Sequence, residues 1–400
     1  MAFKIAAFHA FLDVKAGTAG AFLNMVKFLR KRGHEIDIYT LRIAQDIKED
    51  LEKEFKVFIS RYHFARLSTN IYALDSYISF IPYLRCLQKV KQMIIDSHYD
   101  ILFTSHHNYS TLLLFLMRHT EIPKIYYCYE PPRIYYEPPL PTETTIARSR
   151  LSKYLTLHMK YLDRAGAKCA DLILCPSYYE REYIWRTYGI FAVTNYLGVD
   201  LEKHKRLNVP KENMILTVGV LQPHKAHDFV IRSLALIPKS KRPKFVIISS
   251  GYRPSRAYKE KIVKLAKQND VNLEIMESYI SDKEFAELHS KARLFVIPYV
   301  MEPSIEPVAF AYELPIVAVK EGGAREVIIN HETGILTDRD EKEFAEAIEF
   351  LLDHPDIAAE MGRKGREWVE KNFTWEKCAE NLEKNFKKVL NRYRYRMHNL

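Results

Sequence analysis

The chain has 400 residues, 48% hydrophobic and 28% charged, enough for two soluble cores of about 200 residues each rather than one. Lys and Arg exceed Asp and Glu by six in the first 200 residues and by four in the rest. This surplus attracts acidic small molecules, anionic membranes or nucleic acid alike, and with no nucleic-acid-binding motif beside it no specific nucleic-acid partner is expected.

The opening run, residues 4–11, reads as a short apolar strand. It ends before Asp13, too early for the core of a signal peptide, and no later stretch approaches 18 uninterrupted apolar residues, so no transmembrane span is expected. A loop holding Gly17 and Gly20 follows, then an apolar and basic helix to Arg32, stopped by Gly33. The alternating stretch 34–40 completes a strand-helix-strand unit. Residues 100–104, 124–128 and 171–175 are further strands, several far enough apart for a crossover helix. The first half therefore reads as a mainly parallel sheet covered by helices. Between Ile71 and Leu87 the chain is apolar and aromatic, with Arg85, Lys89 and Lys91 nearby. A buried helix pair interrupted by Pro82 is favoured there over a segment at a membrane interface that presents a lipid-linked acceptor. Cys86, Cys128, Cys169, Cys175 and Cys378 are scattered, without the spacing of a zinc site or disulfide framework, and read as reduced thiols in a cytoplasmic chain.

The polar segment 202–211 interrupts the pattern, which then restarts. Strands are expected at 214–218, 244–249, 271–275, 293–297 and 315–319, and helices at 228–237, 282–290 and 341–354. The tail from Met361 to Tyr393 is helical in pattern, with Gly365 as its weak point and Phe373, Trp375 and Phe386 available for packing. Domains are drawn at 1–203 and 204–375, with 376–400 a helical tail. By the crevice rule, loops near Gly17, His106, Glu130, Gly219, Glu302 and Gly323 line a cleft at the carboxyl ends of the parallel strands.

Gly219 follows the strand 214–218, and Lys225 stands just before the helix 228–237. That layout brings Lys225 and free helix N–H groups onto one phosphate, although the spacing is not that of a P-loop. Gly322 and Gly323 follow another strand and allow close backbone approach to a ligand, while 324–328 can open a helix whose N–H groups face a diphosphate. Glu302 and Glu306 would repel phosphate but can accept hydrogen bonds from sugar or ribose hydroxyls. Against each stands a plainer reading: a turn, a helix cap, a solvated carboxylate or a solvent-facing lysine. His224 and His227 flank Lys225 and read as surface or capping residues ahead of phosphate ligands.

Taken in order, these motifs resemble the large retaining glycosyltransferase family with the two-domain GT-B fold, family four in the carbohydrate-enzyme classification. The resemblance spans nearly the whole chain: Gly17 and Gly20, residues 32–40, 98–104, 122–133, 170–177, 188–189 and 197–200, then 219–225, 281–285, 295–298, 314–318, 322–328 and 332–336. It implies an α/β fold of two Rossmann-like domains facing a central cleft, the first binding the acceptor, the second the nucleotide-sugar, with the tail returning to the first. The implied reaction moves a hexose from a nucleotide-sugar, a GDP- or UDP-hexose, to a glycan, lipid-linked or small-molecule acceptor with retention at the anomeric carbon. No cofactor and no catalytic metal are implied, and the departing phosphate helps remove the acceptor proton on the same face. Lys225 and Glu302 would be catalytic; Gly219, Glu306, Gly322 and Gly323 would bind the donor with them; Gly17, Gly20, His106, Tyr129 and Glu130 would bind the acceptor. The alternative is a non-catalytic carbohydrate- or nucleotide-binding protein on the same fold.

Some positions depart from the family pattern. Val220 stands where arginine is usual and Ala226 where glycine commonly follows the lysine. Counting back from Pro315 puts the second of the family's paired glutamates on Val308, leaving Glu306 to take that role. Tyr129 replaces the usual histidine; with a reference pKa of about 10 it is no general base near neutral pH, and is left to stack on a sugar or donate a hydrogen bond. Of His106 and His107, at most one is expected over the acceptor. The expected setting is the cytoplasm, with peripheral contact at the cytoplasmic membrane face as a hypothesis.

Overall fold

The computed structural model describes residues 2–15, 17–61, 80–106, 113–118, 120–137, 150–249, 254–277, 280–300 and 304–398. Two compact units form, one from Met1–Tyr196 with Cys378–Leu400, the other from Leu197–Lys377. The first runs β1 (Lys4–His9), β2 (Phe11–Leu12), α1 (Gly17–Lys31), β3 (Glu35–Thr40), β4 (Arg42–Ile43), α2 (Gln45–Leu51), β5 (Lys56–Ile59), α3 (Phe80–Ile95), β6 (Ile101–His106), α4 (Leu113–Met117), β7 (Lys124–Cys128), α5 (Arg133–Tyr136), α6 (Arg150–Lys168), β8 (Leu172–Cys175), α7 (Tyr178–Tyr188) and β9 (Val193–Thr194). Its main sheet has the order β5-β3-β1-β6-β7-β8-β9 and is parallel throughout. Helices cover both faces of such a sheet, so its strands are continuous apolar runs; Ile5, Ala6, Ala7 and Phe8 are all fully buried.

The second unit runs β10 (Met214–Val218), a 3-10 turn at Pro223–Lys225, α8 (His227–Leu236), β11 (Lys244–Ile248), α9 (Arg256–Gln268), β12 (Leu273–Met276), α10 (Asp282–Lys291), β13 (Leu294–Ile297), α11 (Glu306–Ala311), β14 (Ile316–Val319), α12 (Ala324–Val327), β15 (Gly334–Thr337), α13 (Glu341–Asp353) and α14 (Pro355–Asn372). Its sheet, β12-β11-β10-β13-β14-β15, is also parallel, so the fold is α/β with two Rossmann-like halves. From Cys378 onward the last helix, α15 (Trp375–His398), belongs to the first unit. There Phe386 packs on Phe103 with ring centroids 5.6 Å apart, and Glu383 accepts a hydrogen bond from Arg32 Nε at 2.7 Å.

In each sheet the strand order reverses beside the first strand, between β1 and β6 and between β10 and β13. Loops leaving the two strands there diverge and open a crevice at their carboxyl ends. His9 ends β1, His106 ends β6, and Gly219 follows β10.

Two expectations need correction. Gly17 and Gly20 are not loop residues: Gly17 starts α1 with φ +58° and Gly20 lies in its first turn. A Cβ on Gly20 would sit 2.7 Å from the Lys15 carbonyl oxygen, so the glycines let the chain turn tightly into the helix. The tail breaks at Phe373–Thr374, not at Gly365. Val199 N–H donates to the Phe373 carbonyl at 2.8 Å, taking the chain out of helix there, whereas Gly365 lies inside α14 against Phe310. Pro82 lies in the first turn of α3, where a missing N–H costs nothing, and that helix buries Tyr83, Leu87, Val90 and Ile94. The apolar stretch before Phe80 lies outside the described residues. No helix among the described residues is long and apolar enough to cross a membrane.

Candidate active site

In the second unit the loop after β10 gathers the phosphate-binding candidates. Gly219 N–H donates to the Ile248 carbonyl at 2.9 Å, which holds the turn against β11. Lys225 folds back over the glycine: a Cβ at Gly219 would lie 3.2 Å from Lys225 Cδ. Its ammonium rests 3.9 Å from the centre of the Tyr299 ring, close enough for a cation–π contact. Tyr299, almost wholly buried, extends its hydroxyl toward the Val218 carbonyl at 3.5 Å. The lysine is thus held where the ends of β10 and β13 diverge.

Ala226 takes the left-handed conformation (φ +49°) that a glycine would adopt without strain, and α8 starts after it with no side-chain cap. Two groups at this helix start limit what else can bind an anion. His227 is fully buried with neither ring nitrogen hydrogen-bonded; burial, followed by the neighbouring Lys225 charge, pushes its pKa down to about 3, so it is a neutral packing residue rather than a phosphate ligand. Asp228 accepts from Tyr258 at 3.0 Å, Arg232 at 3.1 Å and Lys261 at 2.9 Å. These bonds outweigh the opposing effect of burial and hold its carboxyl below the usual range.

Glu306 opens α11 and is 2% exposed. Its Oε2 accepts the backbone N–H groups of Ser304 at 3.0 Å and Ile305 at 3.1 Å, so this carboxylate draws the preceding turn together. Glu302 lies outside the described residues. Gly322 (φ +63°) and Gly323 are buried after β14, but the helix they lead into, α12, is a single turn. Any anion there would meet backbone N–H groups without the dipole of a long helix. Arg339 braces these loops from β15's end, donating to the Pro298 carbonyl at 3.0 Å and, through Nη2, to Glu321 at 2.7 Å.

In the first unit the acceptor candidates gather at the ends of β1, β6 and β7. Tyr129 is buried with its hydroxyl committed: it donates to the Thr18 carbonyl and accepts from Ser105 Oγ, both at 3.1 Å. Its ring tilts onto Tyr127 at 5.0 Å, and burial raises its pKa. The residue therefore ties the start of α1, by Gly17 and Gly20, to the end of β6. His9 joins the same network, its Nδ1 lying 2.8 Å from the Ser105 carbonyl and its ring stacked on Phe22 at 5.1 Å. His106 is the last residue of β6, in register with Cys128, and His107 lies outside the described residues. Glu130 accepts from Arg133 Nε at 2.7 Å. Among the described residues no group of His, Cys, Asp and Glu is arranged to hold a metal ion.

Two family models match successive parts of the chain, Glycosyltransferase Family 4 over residues 17–203 and Glycosyl transferases group 1 over residues 199–368. The chain belongs to the GT-B glycosyltransferases. Among curated relatives, an uncharacterized glycosyltransferase of Methanocaldococcus jannaschii is 25% identical over 58% of this chain and 63% of its own length. A GDP-mannose-dependent alpha-(1-6)-phosphatidylinositol monomannoside mannosyltransferase of Mycobacterium tuberculosis is 26% identical over 53% of this chain and 60% of its own. The match thus spans less than two thirds of each relative. Among solved structures, sucrose-phosphate synthase from Thermosynechococcus elongatus superposes with a TM-score of 0.75 over 97% of this chain and 99% of its own, at 18% identity, a likeness of fold.

For this GT-B chain, sequence reasoning found the Gly219–Lys225 loop but missed its supports. Tyr299 directly follows the strand-ending Pro298 and so emerges at the strand's carboxyl end, a signal open to reading. His9 ends the first strand in the same way. Arg339 carries no comparable signal, since only the fold brings it to Pro298 and Glu321.

Proposed function

We propose that this chain is a retaining hexosyltransferase that moves a hexose from a GDP- or UDP-hexose to a glycan, lipid-linked or small-molecule acceptor. The observation that carries the reading is Lys225, laid over Gly219 and held against Tyr299 at the strand-order reversal of the second unit. A fixed ammonium there suits a diphosphate leaving group, whose charge grows as the bond to the sugar breaks. The name of the mycobacterial relative supports a GDP-hexose donor and a lipid-linked acceptor. Five free cysteines support a cytoplasmic setting.

In the proposed reaction the bond from the anomeric carbon to the diphosphate oxygen breaks and a bond to the acceptor hydroxyl oxygen forms on the same face. The acceptor proton passes to the departing phosphate. Lys225 stabilises that phosphate, with Gly219, Gly322 and Gly323 allowing its close approach; Glu302 is assigned to the transferred sugar and Glu306, through the turn that its carboxylate holds, to the ribose or sugar hydroxyls. Gly17, Gly20, His106, Tyr129 and Glu130 shape the acceptor side, where Tyr129 acts through the loop it ties down.

The test is a panel of labelled nucleotide-sugars offered with lipid, glycan and small-molecule acceptors, with the anomeric configuration of any product read by NMR. Transfer with retention is expected. Saturable donor binding without transfer or hydrolysis would instead support a non-catalytic binding protein, the reading that Val220 and Val308 favour.

A further inference from the structure

Twelve large hydrophobic residues are exposed among the described residues, and seven of them fall between positions 154 and 193 of the first unit. Three lie on α6: Tyr154, Leu157 and Tyr161, each more than 60% exposed. With the exposed His158, Arg164 and Lys168 they form one stripe at helical spacing, while Met159, Leu162 and Ala167 on the opposite side are buried. The other four are Tyr178, Trp185, Phe191 and Val193. Arg164 joins the two groups, its Nε donating to the Thr187 carbonyl at the end of α7 at 3.0 Å, close in sequence to where Trp185 stacks on Phe191 with centroids 6.0 Å apart.

The exposed charges described on α6 are of one sign. The sequence of α6 contains five basic residues and a single acid, Asp163, which is buried and accepts the Tyr136 hydroxyl at 2.8 Å. On α7, Glu180 is buried, and Glu182, exposed on the same side as Tyr178 and Trp185, has its charge offset by Arg186. Tyrosine and tryptophan have an apolar body and a polar edge, and favour the boundary between water and lipid headgroups. Interspersed lysine and arginine favour anionic headgroups. A protein partner would be met by an apolar centre with charges excluded to its rim, whereas here the aromatic stripe runs straight into the exposed Arg164 and Lys168 of the same helix.

We infer that the face formed by α6, α7 and the edge strand β9 rests on an anionic lipid bilayer. The inference is independent of the transferase reading: a chain that binds vesicles and transfers no sugar would sustain one and sink the other.

The test is flotation of the full chain with vesicles of phosphatidylcholine alone or mixed with phosphatidylglycerol, at low and high salt. Binding to the anionic vesicles that weakens with salt is expected. Combining Tyr154→Ser, Leu157→Ser and Tyr161→Ser should lower affinity roughly tenfold or more, and Lys168→Gln about fivefold. Unchanged circular dichroism and melting would show that the variants remain folded. Equal binding to neutral and anionic vesicles, equal binding by wild type and the triple variant, or no binding would overturn the inference. So would a concentration-dependent dimer, seen by sedimentation, that the triple variant dissolves, since the face would then belong to a second copy.

Discussion

At the scale of single residues, Lys225 carries the heaviest demand. Lys225→Ala should lower kcat by more than it raises the donor KM, because diphosphate charge grows mainly in the transition state. A loss of about 2 to 4 kcal/mol is expected by comparison with other preorganised electrostatic contacts, and near-normal transfer by this variant would sink the site model. Tyr299 should act through the lysine. Tyr299→Leu removes a cation–π contact of about 0.5 to 2 kcal/mol, whereas Tyr299→Phe keeps the ring and should stay close to wild type. In the Lys225→Ala background Tyr299→Leu should add nothing further, an outcome that a merely structural tyrosine would not give. The site was legible where it is local: Gly219 and Lys225 stand six positions apart on one loop, and a strand before and helix after set their geometry. Tyr299, Arg339 and the His9–Ser105–Tyr129 network depend on strands adjacent only in the folded sheet. The carboxylate of Glu306 looked like a reader of hydroxyls, yet its nearest duty is to the backbone of its own turn.

At the scale of elements, central strands could be read because they are buried on both faces and continuously apolar. β7 and β10 have the bounds their apolar runs predict. The edge strand β5 has no fully buried residue, β9 has only two residues, and β15 begins with a glycine. Helix-internal glycines mislead in the other direction, for propensity marks Gly365 as a weak point while packing requires it. A Cβ there would lie 2.3 Å from Phe310 Cδ1, and one on Gly362 would lie 2.1 Å from the Glu313 carbonyl oxygen. The two glycines let α14 approach α11, the helix that Glu306 opens. Gly365→Ala gains about 1 kcal/mol of helix propensity, but the neighbouring Phe310 ring is fully buried and cannot swing away. A net destabilisation of about 1 to 3 kcal/mol is expected, measurable by urea unfolding, together with weaker donor binding as α11 shifts; a stabilised variant would show that the close approach has slack.

At the scale of the whole molecule, each unit has its own hydrophobic core, one around β1 and β6 and the other around β10 and β13. Two cores need not melt together, and variants can assign their transitions. Gly365→Ala should lower the transition of the second unit, and Glu383→Gln that of the first, because Glu383 on α15 joins the tail to Arg32. Bonds from Lys387 and from Arg32 outweigh the opposing effect of burial and hold the Glu383 carboxyl down to about 2, from an ordinary 4.5. A depressed carboxyl pKa stabilises the fold fully above the unfolded value, and that contribution disappears as pH falls from 4.5 through 2. At pH 7 Glu383→Gln should therefore cost about 1 to 3 kcal/mol, and the gap from wild type should narrow at pH 3. His34, buried beside Glu383 and lowered by desolvation although the Glu383 charge raises it, also weakens the fold as acid protonates it, so the difference between wild type and variant includes the coupling of the two groups. Calorimetry at the two pH values decides the matter: a gap that stays constant would mean that Glu383 carries no charge-dependent stabilisation, and a shift in both transitions would mean that the two cores unfold as one.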